Sequence, residues 1–272
     1  MTHRTLPRQR LSRSPLVQVL AQAVFSSPVL AMPRYLPEIH DVLRRQLDLS
    51  ETDETTETEI VFSLAGEPQT KQERKRWTFY RPDRRWAVVL SEQLVVLHTS
   101  AYDTFEDFAW IWRQVIEVVF GTVGIPRLQR IGLRYTDRVV LGPDEQAEQY
   151  LSAALLGYPR DREAALGARR VFARSDTVLQ TAAGLLSLRC VEGQGLVLPP
   201  DLLPSVLVYP DAPSSDARVL LLDLDHSRAG EASAQPSTLA DDFWALHDSL
   251  DLAFRNVVTD QALRAWGQEV FT

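Results

Sequence analysis

The stretch Arg127–Leu141, RLQRIGLRYTDRVVL, constrains the fold more than any other part of the chain. Side chains alternate between the two faces of a β-strand, and this segment alternates over most of its length. One face carries apolar side chains. The other carries three arginines, which we call the arginine row: Arg130, Arg134 and Arg138. The pattern predicts one long strand near the middle of the chain, with a cationic face.

The arginine row has two interpretations. Three guanidinium groups on one strand face need water, carboxylates or an anionic ligand. If Asp223 and Asp225 lie opposite, the charges are paired and the row stabilises the sheet. If no carboxylate lies near, the row is a binding surface for an anion or an acidic partner. In that second interpretation Arg138 is the strongest candidate for ligand contact, because it lies nearest the end of the strand.

A second cationic segment, Lys71–Trp86, mixes lysines and arginines with aromatic residues. Single-stranded nucleic acids bind such surfaces, because bases stack on the rings while phosphates pair with the cations. Strand alternation explains the same segment, with Trp77 and Phe79 facing inward and Arg76 facing outward. We include Arg76 and Arg85 with the arginine row as candidate ligand-binding residues.

Composition limits the function classes that suit the chain. Its 272 residues are 45% hydrophobic and 24% charged, which is typical of a globular protein. The net charge of −7 argues against non-specific binding to nucleic acid. The single cysteine, Cys190, excludes an internal disulfide and is typical of a reducing cytoplasm. No apolar run reaches the roughly 18–20 residues of a membrane span. We therefore predict a cytoplasmic protein without a cofactor or a membrane partner.

Periodicity divides the chain into two similar halves after a basic flexible tail, residues 1–14. The pattern in residues 15–124 predicts a strand, an amphipathic helix, four short strands and a long helix. Residues 125–257 predict the same β-α-β4-α order, and residues 258–272 predict a helical tail. In the first half these elements include an acidic loop at Ser50–Glu59 and a strand at Ile60–Ala65. In the second half they include a helix at Glu145–Leu156 and a strand at Ser205–Tyr209. The tail helix is predicted at Thr259–Val270.

Short similarities in the same order support an internal duplication. Pro15–Gln18 aligns with Pro126–Gln129, and Glu106–Phe108 aligns with Asp241–Phe243. The phenylalanine that ends each of the last two segments is expected to be a buried anchor of a long helix. The layout predicts an α+β fold in which curved antiparallel sheets each grip a long helix. Tandem units of this kind are similar to TATA-binding-protein-like and helix-grip architectures, whose free sheet face forms a saddle or groove.

Four segments resemble a sporadically distributed family of uncharacterised bacterial proteins. They are RIGLRYTDR within Arg127–Leu141, PLVQVLAQAVF at Pro15–Phe25, WTF at Trp77–Phe79 and TSAYDTFEDF at Thr99–Phe108. The family usually has Asn and Glu where this chain has Asp137 and Gln18. The resemblance spans most of the chain and implies no particular activity. The sporadic distribution implies mobile accessory genes, such as defence or toxin–antitoxin systems.

Catalytic and metal-binding motifs are weak. The most suggestive group is Asp223, Asp225 and His226, in which the two carboxylates share one face of a strand, as a hard divalent cation would need. An ion pair with the arginine row explains these carboxylates as well. We therefore assign no catalytic residue and no metal site, and we keep the three residues as weak metal candidates.

Three hypotheses about function follow. The leading one is a non-enzymatic recognition protein that binds a protein partner or a small anionic ligand. The first alternative is a nucleic-acid-binding protein that uses the arginine row and Lys71–Trp86. The second is a metal-dependent enzyme built on Asp223, Asp225 and His226.

Overall fold

The alternating segment Arg127–Leu141 forms one continuous strand in the computed structural model, which describes residues 9–62 and 68–270. Eleven strands are present in these residues: β1 (Gln9–Leu11), β2 (Leu16–Phe25), β3 (Glu51–Phe62), β4 (Pro68–Tyr80), β5 (Trp86–Leu90), β6 (Leu94–Thr99), β7 (Arg127–Leu141), β8 (Ala173–Gln180), β9 (Leu185–Gln194), β10 (Arg218–Ser233) and β11 (Gln268–Val270). The α-helices are α1 (Met32–Leu47), α2 (Phe105–Val123), α3 (Arg160–Ala165), α4 (Pro236–Val257) and α5 (Asp260–Ala265).

Nine strands form one antiparallel sheet in the order β3-β4-β5-β6-β2-β7-β10-β9-β8. The first strands of the two halves, β2 and β7, are neighbours at its centre. From there the order runs β2-β6-β5-β4 in one direction and β7-β10-β9-β8 in the other. The predicted α+β class with antiparallel sheet is therefore confirmed. The two halves share a single sheet, whereas the sequence predicted a separate curved sheet for each.

The long helices cover one face of this sheet, which we call the helix face. Helix α2 begins where Thr104 accepts a hydrogen bond from the Asp107 backbone N–H, and it ends at Gly124, whose φ of 77° is in the left-handed region. Phe108 and Phe243 are 0% and 3% exposed and belong to one hydrophobic core with the inward residues of the strands. Their predicted burial is confirmed. Burying a side chain of this kind stabilises the fold by about 1.5–3 kcal/mol.

The predicted acidic loop Ser50–Glu59 is wrong, because strand β3 begins at Glu51 and pairs with β4 along its length. Threonines with branched Cβ atoms favour the extended conformation, and an opposite charge on the neighbouring strand stabilises the pairing. Glu54 Oε1, for example, lies 2.7 Å from Lys75 Nζ. The predicted strand Ile60–Ala65 is thus the end of β3 as far as Phe62, and residues 63–65 lie outside the described part of the chain.

The predicted helix Glu145–Leu156 is also wrong. This segment forms two 3-10 turns, Ala147–Gln149 and Ala153–Leu155. Tertiary contacts override its helical periodicity, because Leu151 forms a β-bridge with Val258 between the turns.

The predicted strand Ser205–Tyr209 does not form either, so the second half has three strands after β7 instead of four. Its polar groups bond to other parts of the chain. The Val208 N–H donates to the Arg84 carbonyl, and the Ser100 hydroxyl donates to the Val208 carbonyl. These contacts hold the segment across the sheet instead of in register with it.

The first and last described strands pair with each other. Strand β1, within the predicted flexible tail, pairs with β11, and residues 1–8 of that tail lie outside the described part of the chain. The predicted helix Thr259–Val270 is limited to α5, because the chain turns at Gly267 to enter β11. No helix within residues 9–62 and 68–270 is both long and apolar enough to cross a membrane.

Candidate functional site

Charged side chains of alternating sign cross the sheet on the face opposite the helices, which we call the charged face. Arg134 on β7 bonds to Asp223 on β10, which lies opposite Arg189 on β9. Arg189 in turn lies opposite Asp176 on β8. We call these four residues the charge ladder. Opposite charges on neighbouring strands stabilise each other, so the ladder fixes the register of four strands.

Arg134 is the most constrained member of the ladder. Its Nε and Nη2 atoms donate to the two Asp223 oxygens at 2.7 and 2.8 Å, and its Nη1 and Nη2 atoms donate to Asp201 at 2.6 and 3.1 Å. Its side chain is only 9% exposed. Burial alone would lower its pKa, but the bonds to Asp201 and Asp223 outweigh burial and raise the pKa of Arg134. The Arg134 hydrogen bond likewise lowers the pKa of Asp201.

The rest of the arginine row is also bonded within the chain. Arg130 donates to the Gln22 side chain, and its Nη2 lies 3.7 Å from Asp225 Oδ2. Arg138 donates to the backbone carbonyls of Val197 at 3.2 Å and Asp211 at 2.6 Å. The row therefore faces carboxylates and carbonyls of its own chain, as the structural interpretation of these arginines predicted.

The two other candidate ligand-binding arginines lie away from the row. Arg76 lies on β4, and strands β5, β6 and β2 separate it from β7. Arg85 donates to the Ser100 carbonyl at 2.5 Å, at the adjacent end of β6. The aromatic rings of the Lys71–Trp86 segment are turned inward: Trp77, Phe79, Tyr80 and Trp86 are all less than 8% exposed. None of these four rings is open for stacking on a base.

Residues 195–217, which we call the covering segment, lie across part of the charged face. Its two ends are joined by the Gly195 N–H bond to the Ala217 carbonyl. The Tyr209 hydroxyl donates to Gln18 Oε1 at 2.8 Å, and Gln18 Nε2 lies 3.3 Å from His98 Nδ1. Burial, with the nearby Arg76 charge, lowers the pKa of His98 to about 4. The segment therefore holds a neutral histidine beneath it at neutral pH.

The weak metal candidates do not form one site. Asp223 and Asp225 face the charged side of the sheet, whereas His226 faces the helices, with Nδ1 3.2 Å from the Leu246 carbonyl. Asp223 is already paired with Arg134 and Arg189. Across the described residues, no three His, Cys, Asp or Glu side chains are grouped as a metal ion would need.

A buried polar cluster lies on the helix face. The Tyr135 hydroxyl lies 2.9 Å from His247 Nδ1, and the Phe105 ring stacks on His247 at 3.7 Å between centroids. Asp137 follows Tyr135 on the same face of β7 and is 4% exposed. Burial, with a smaller contribution from the Asp223 charge, raises the pKa of Asp137 to about 8. Asp137 is therefore largely protonated at neutral pH.

A cleft lies near the start of α4, lined in part by Ile131, Ala183, Arg228 and Asp242. Its volume of about 260 Å³ is below the roughly 300–1,000 Å³ of typical small-molecule sites. Its charged groups also bind each other, since Arg228 donates to both oxygens of Asp242. The small volume and the paired charges of the cleft disfavour it as a binding site for a small ligand.

Strand β8 ends the sheet and leaves a backbone edge open. In the part of the chain that the structure describes, β8 pairs only with β9, and its outer edge makes no other backbone hydrogen bond. Exposed apolar side chains flank this edge: Val171 (76%) and Phe172 (59%) directly before β8, Val178 (61%) and Leu179 (47%) near its end, and Leu185 (46%) at the start of β9. We call this surface the β8 edge. It is the kind of edge that natural sheets usually protect, and it favours pairing with another extended chain.

Sequence reasoning missed the β8 edge, Asp201 and Arg189. The apolar signal of the edge was visible in VFARSDTVLQ, but only the sheet order shows that this strand is terminal. Asp201 lies 67 residues from Arg134 along the chain, in a proline-rich segment without a regular pattern.

Comparison with known proteins adds no relative from which a role could be transferred to these residues. The charged face and the β8 edge therefore have to be interpreted from their own chemistry. No protein-family model matches the chain, and no curated protein matches it in a sequence search.

Proposed function

We propose that this chain is a non-enzymatic recognition protein that binds a protein partner through the β8 edge. The observation that carries the proposal is the open backbone edge of β8 with five exposed apolar side chains around it. Binding by strand addition uses such an edge: backbone hydrogen bonds supply affinity, and flanking side chains supply specificity. The single cysteine is in keeping with action in the cytoplasm.

The internal pairing of the arginine row favours a protein partner over a small anion or a nucleic acid. A guanidinium group held by two carboxylates, as Arg134 is, would have to exchange these bonds for those of a ligand. The burial of Trp77 and Phe79 also disfavours a nucleic acid, because buried rings cannot stack on bases. An enzyme built on Asp223 and Asp225 has even less support, because both face arginines.

We further propose that the two halves arose by duplication of a helix-grip unit, within the sporadically distributed bacterial family that the sequence resembles. The mirrored strand orders from β2 and from β7 support a common origin. So does the burial of Phe108 on α2 and of Phe243 on α4 in the same hydrophobic core. In this proposal β3 is an addition specific to the first half, and a role in a mobile defence system would suit the family's distribution.

The test compares three forms of the full chain: wild type, Val178→Lys at the β8 edge, and Val140→Lys as a matched control. Both valines are exposed and lie on strands, but Val140 is on β7, away from the sheet edge. We expect Val178→Lys to weaken partner binding by about tenfold or more, since it places an unpaired charge in an apolar contact. Native mass spectrometry of each form, purified from its own host, measures the bound protein.

Val140→Lys should retain the partner at the wild-type level. If Val178→Lys also retains it, the β8 edge is not the binding surface. Salt-sensitive binding of nucleic acid by the wild type, with equal affinity in both variants, would favour the nucleic-acid alternative.

A further inference from the structure

We infer that the protein partner of the β8 edge is a second copy of this chain, paired antiparallel to the first with Ser175 on the two-fold axis. This inference rests on the proposed use of the β8 edge. Residues 171–180, VFARSDTVLQ, carry one positive and one negative charge, so two such edges meet without net repulsion. Two-fold pairing of like surfaces is the commonest form of self-association.

The other open edge of the sheet shows what a protected strand looks like. Residues 51–59 of β3, ETDETTETE, carry five acidic groups and no basic one. Two copies of β3 would place like charges side by side, which disfavours self-pairing. The charge patterns of the two edges thus select β8 for contact between copies.

Symmetry restricts how two β8 strands can pair. A two-fold axis normal to the sheet keeps each face continuous, so opposite residues must point to the same side. Because side chains alternate faces, two opposite residues that point to the same side are an even number of positions apart in the sequence. The two-fold axis therefore passes through a residue and not between two residues. Centring on Arg174 or Asp176 places that charged residue opposite its own copy. Centring on Ser175 places Arg174 of each copy opposite Asp176 of the other.

The same register matches the apolar residues of the edge. Strand β8 itself begins at Ala173. When the pairing is continued through the two residues before it, Phe172 lies opposite Val178 and Val171 opposite Leu179, twice each across the axis. All four side chains are at least 47% exposed in the single chain. Their contact would remove apolar surface from water, which is the main favourable contribution to association.

The charge ladder continues across this contact. Among residues 9–62 and 68–270 of one chain, the ladder ends with Asp176, which lies opposite Arg189. In the single chain Arg174 Nε lies 2.6 Å from Asp176 Oδ2, and the two side chains are 56% and 41% exposed. In the proposed pair, Arg174 on β8 of the second copy lies opposite each Asp176, on the side away from Arg189. The alternation of charge then extends from one sheet into the other.

A charge-swap experiment tests both the contact and its register. Arg174→Asp and Asp176→Arg each break the same internal ion pair and each place two like-charged pairs across the axis. We expect either variant alone to dissociate at least about tenfold more readily than the wild type. An equimolar mixture restores two opposite-charge pairs, so it should form mixed dimers with nearly wild-type affinity. Sedimentation velocity and native mass spectrometry measure these species.

Arg113→Asp and Glu117→Arg are the matched controls. They change the net charge by the same amounts and break an exposed ion pair of similar length, Arg113 Nε to Glu117 Oε1 at 2.7 Å, on α2. Each control should dimerise like the wild type. All the substituted positions are on the surface, and thermal melting verifies that each variant is folded.

Three outcomes overturn the inference. If the mixture assembles no better than either variant alone, the Ser175-centred register is wrong. If the wild type stays monomeric up to about 100 µM, the second copy is not the partner. If the protein is monomeric and Val178→Lys no longer binds a different protein partner, the proposed function of the β8 edge is still supported. If Val178→Lys still binds that partner, both the proposed function and this inference are wrong. Equal dimerisation of the wild type and both charge variants also contradicts the inference.

Discussion

Replacing Arg134 by alanine is expected to lower the free energy of unfolding by about 3 kcal/mol. The change leaves the Asp223 carboxylate, 3% exposed, without two hydrogen bonds at 2.7 and 2.8 Å. Breaking one side of a buried ion pair usually costs about 3–5 kcal/mol, because the remaining charge is uncompensated. The expected loss lies at the low end because Arg189 Nε stays 3.0 Å from Asp223. Denaturant unfolding, followed by circular dichroism, gives this value.

Arg113→Ala is the control, since it removes an arginine whose ion pair with Glu117 is exposed. It should change stability by less than about 0.5 kcal/mol. Partner binding has to be measured on the same Arg134→Ala sample. Lost stability with binding retained supports a structural role for the arginine row. Lost binding at an unchanged melting temperature would contradict that role and return the row to the ligand-binding interpretation.

At pH 9, Asp137→Asn is expected to have a free energy of unfolding about 3–5 kcal/mol higher than that of the wild type. At pH 4 the two proteins should differ little in stability. Burial raises the pKa of Asp137 to about 8, whereas in the unfolded chain it titrates near its ordinary value. Between these two pKa values the folded state binds the extra proton, so wild-type stability falls as pH rises. Asparagine cannot ionise, so the variant avoids this loss.

The measurement is the difference in unfolding free energy between Asp137→Asn and the wild type at several pH values. The depressed pKa of His98 destabilises both forms equally at low pH, so its effect cancels in the difference. Asp161→Asn is the control, because the Asp161 side chain is 75% exposed. Parallel pH profiles for Asp137→Asn and the wild type would show that Asp137 is not protonated in the folded state.

Several elements could be predicted because their signals are local. The strands Leu16–Phe25 and Arg127–Leu141 have the predicted bounds, since alternation over ten or more residues allows only one register of faces. Helix α2 combines a side-chain cap at Thr104, a wide apolar stripe and a glycine after its last turn. Predictions were wrong where the local pattern was weak, as in β3, or where distant contacts overrode it, as in residues 145–156.

The sequence by itself determined the α+β class, the central strand with its arginine row and the burial of the two helix anchors, Phe108 and Phe243. Each of these follows from side-chain periodicity within a short window. Only the tertiary structure decided that Arg134 binds Asp201 and Asp223, which lie 67 and 89 residues away. It also decided that β8 ends the sheet. Periodicity places a residue on a face, but which strand lies beside it depends on how the whole chain packs, because one alternating pattern suits many neighbours.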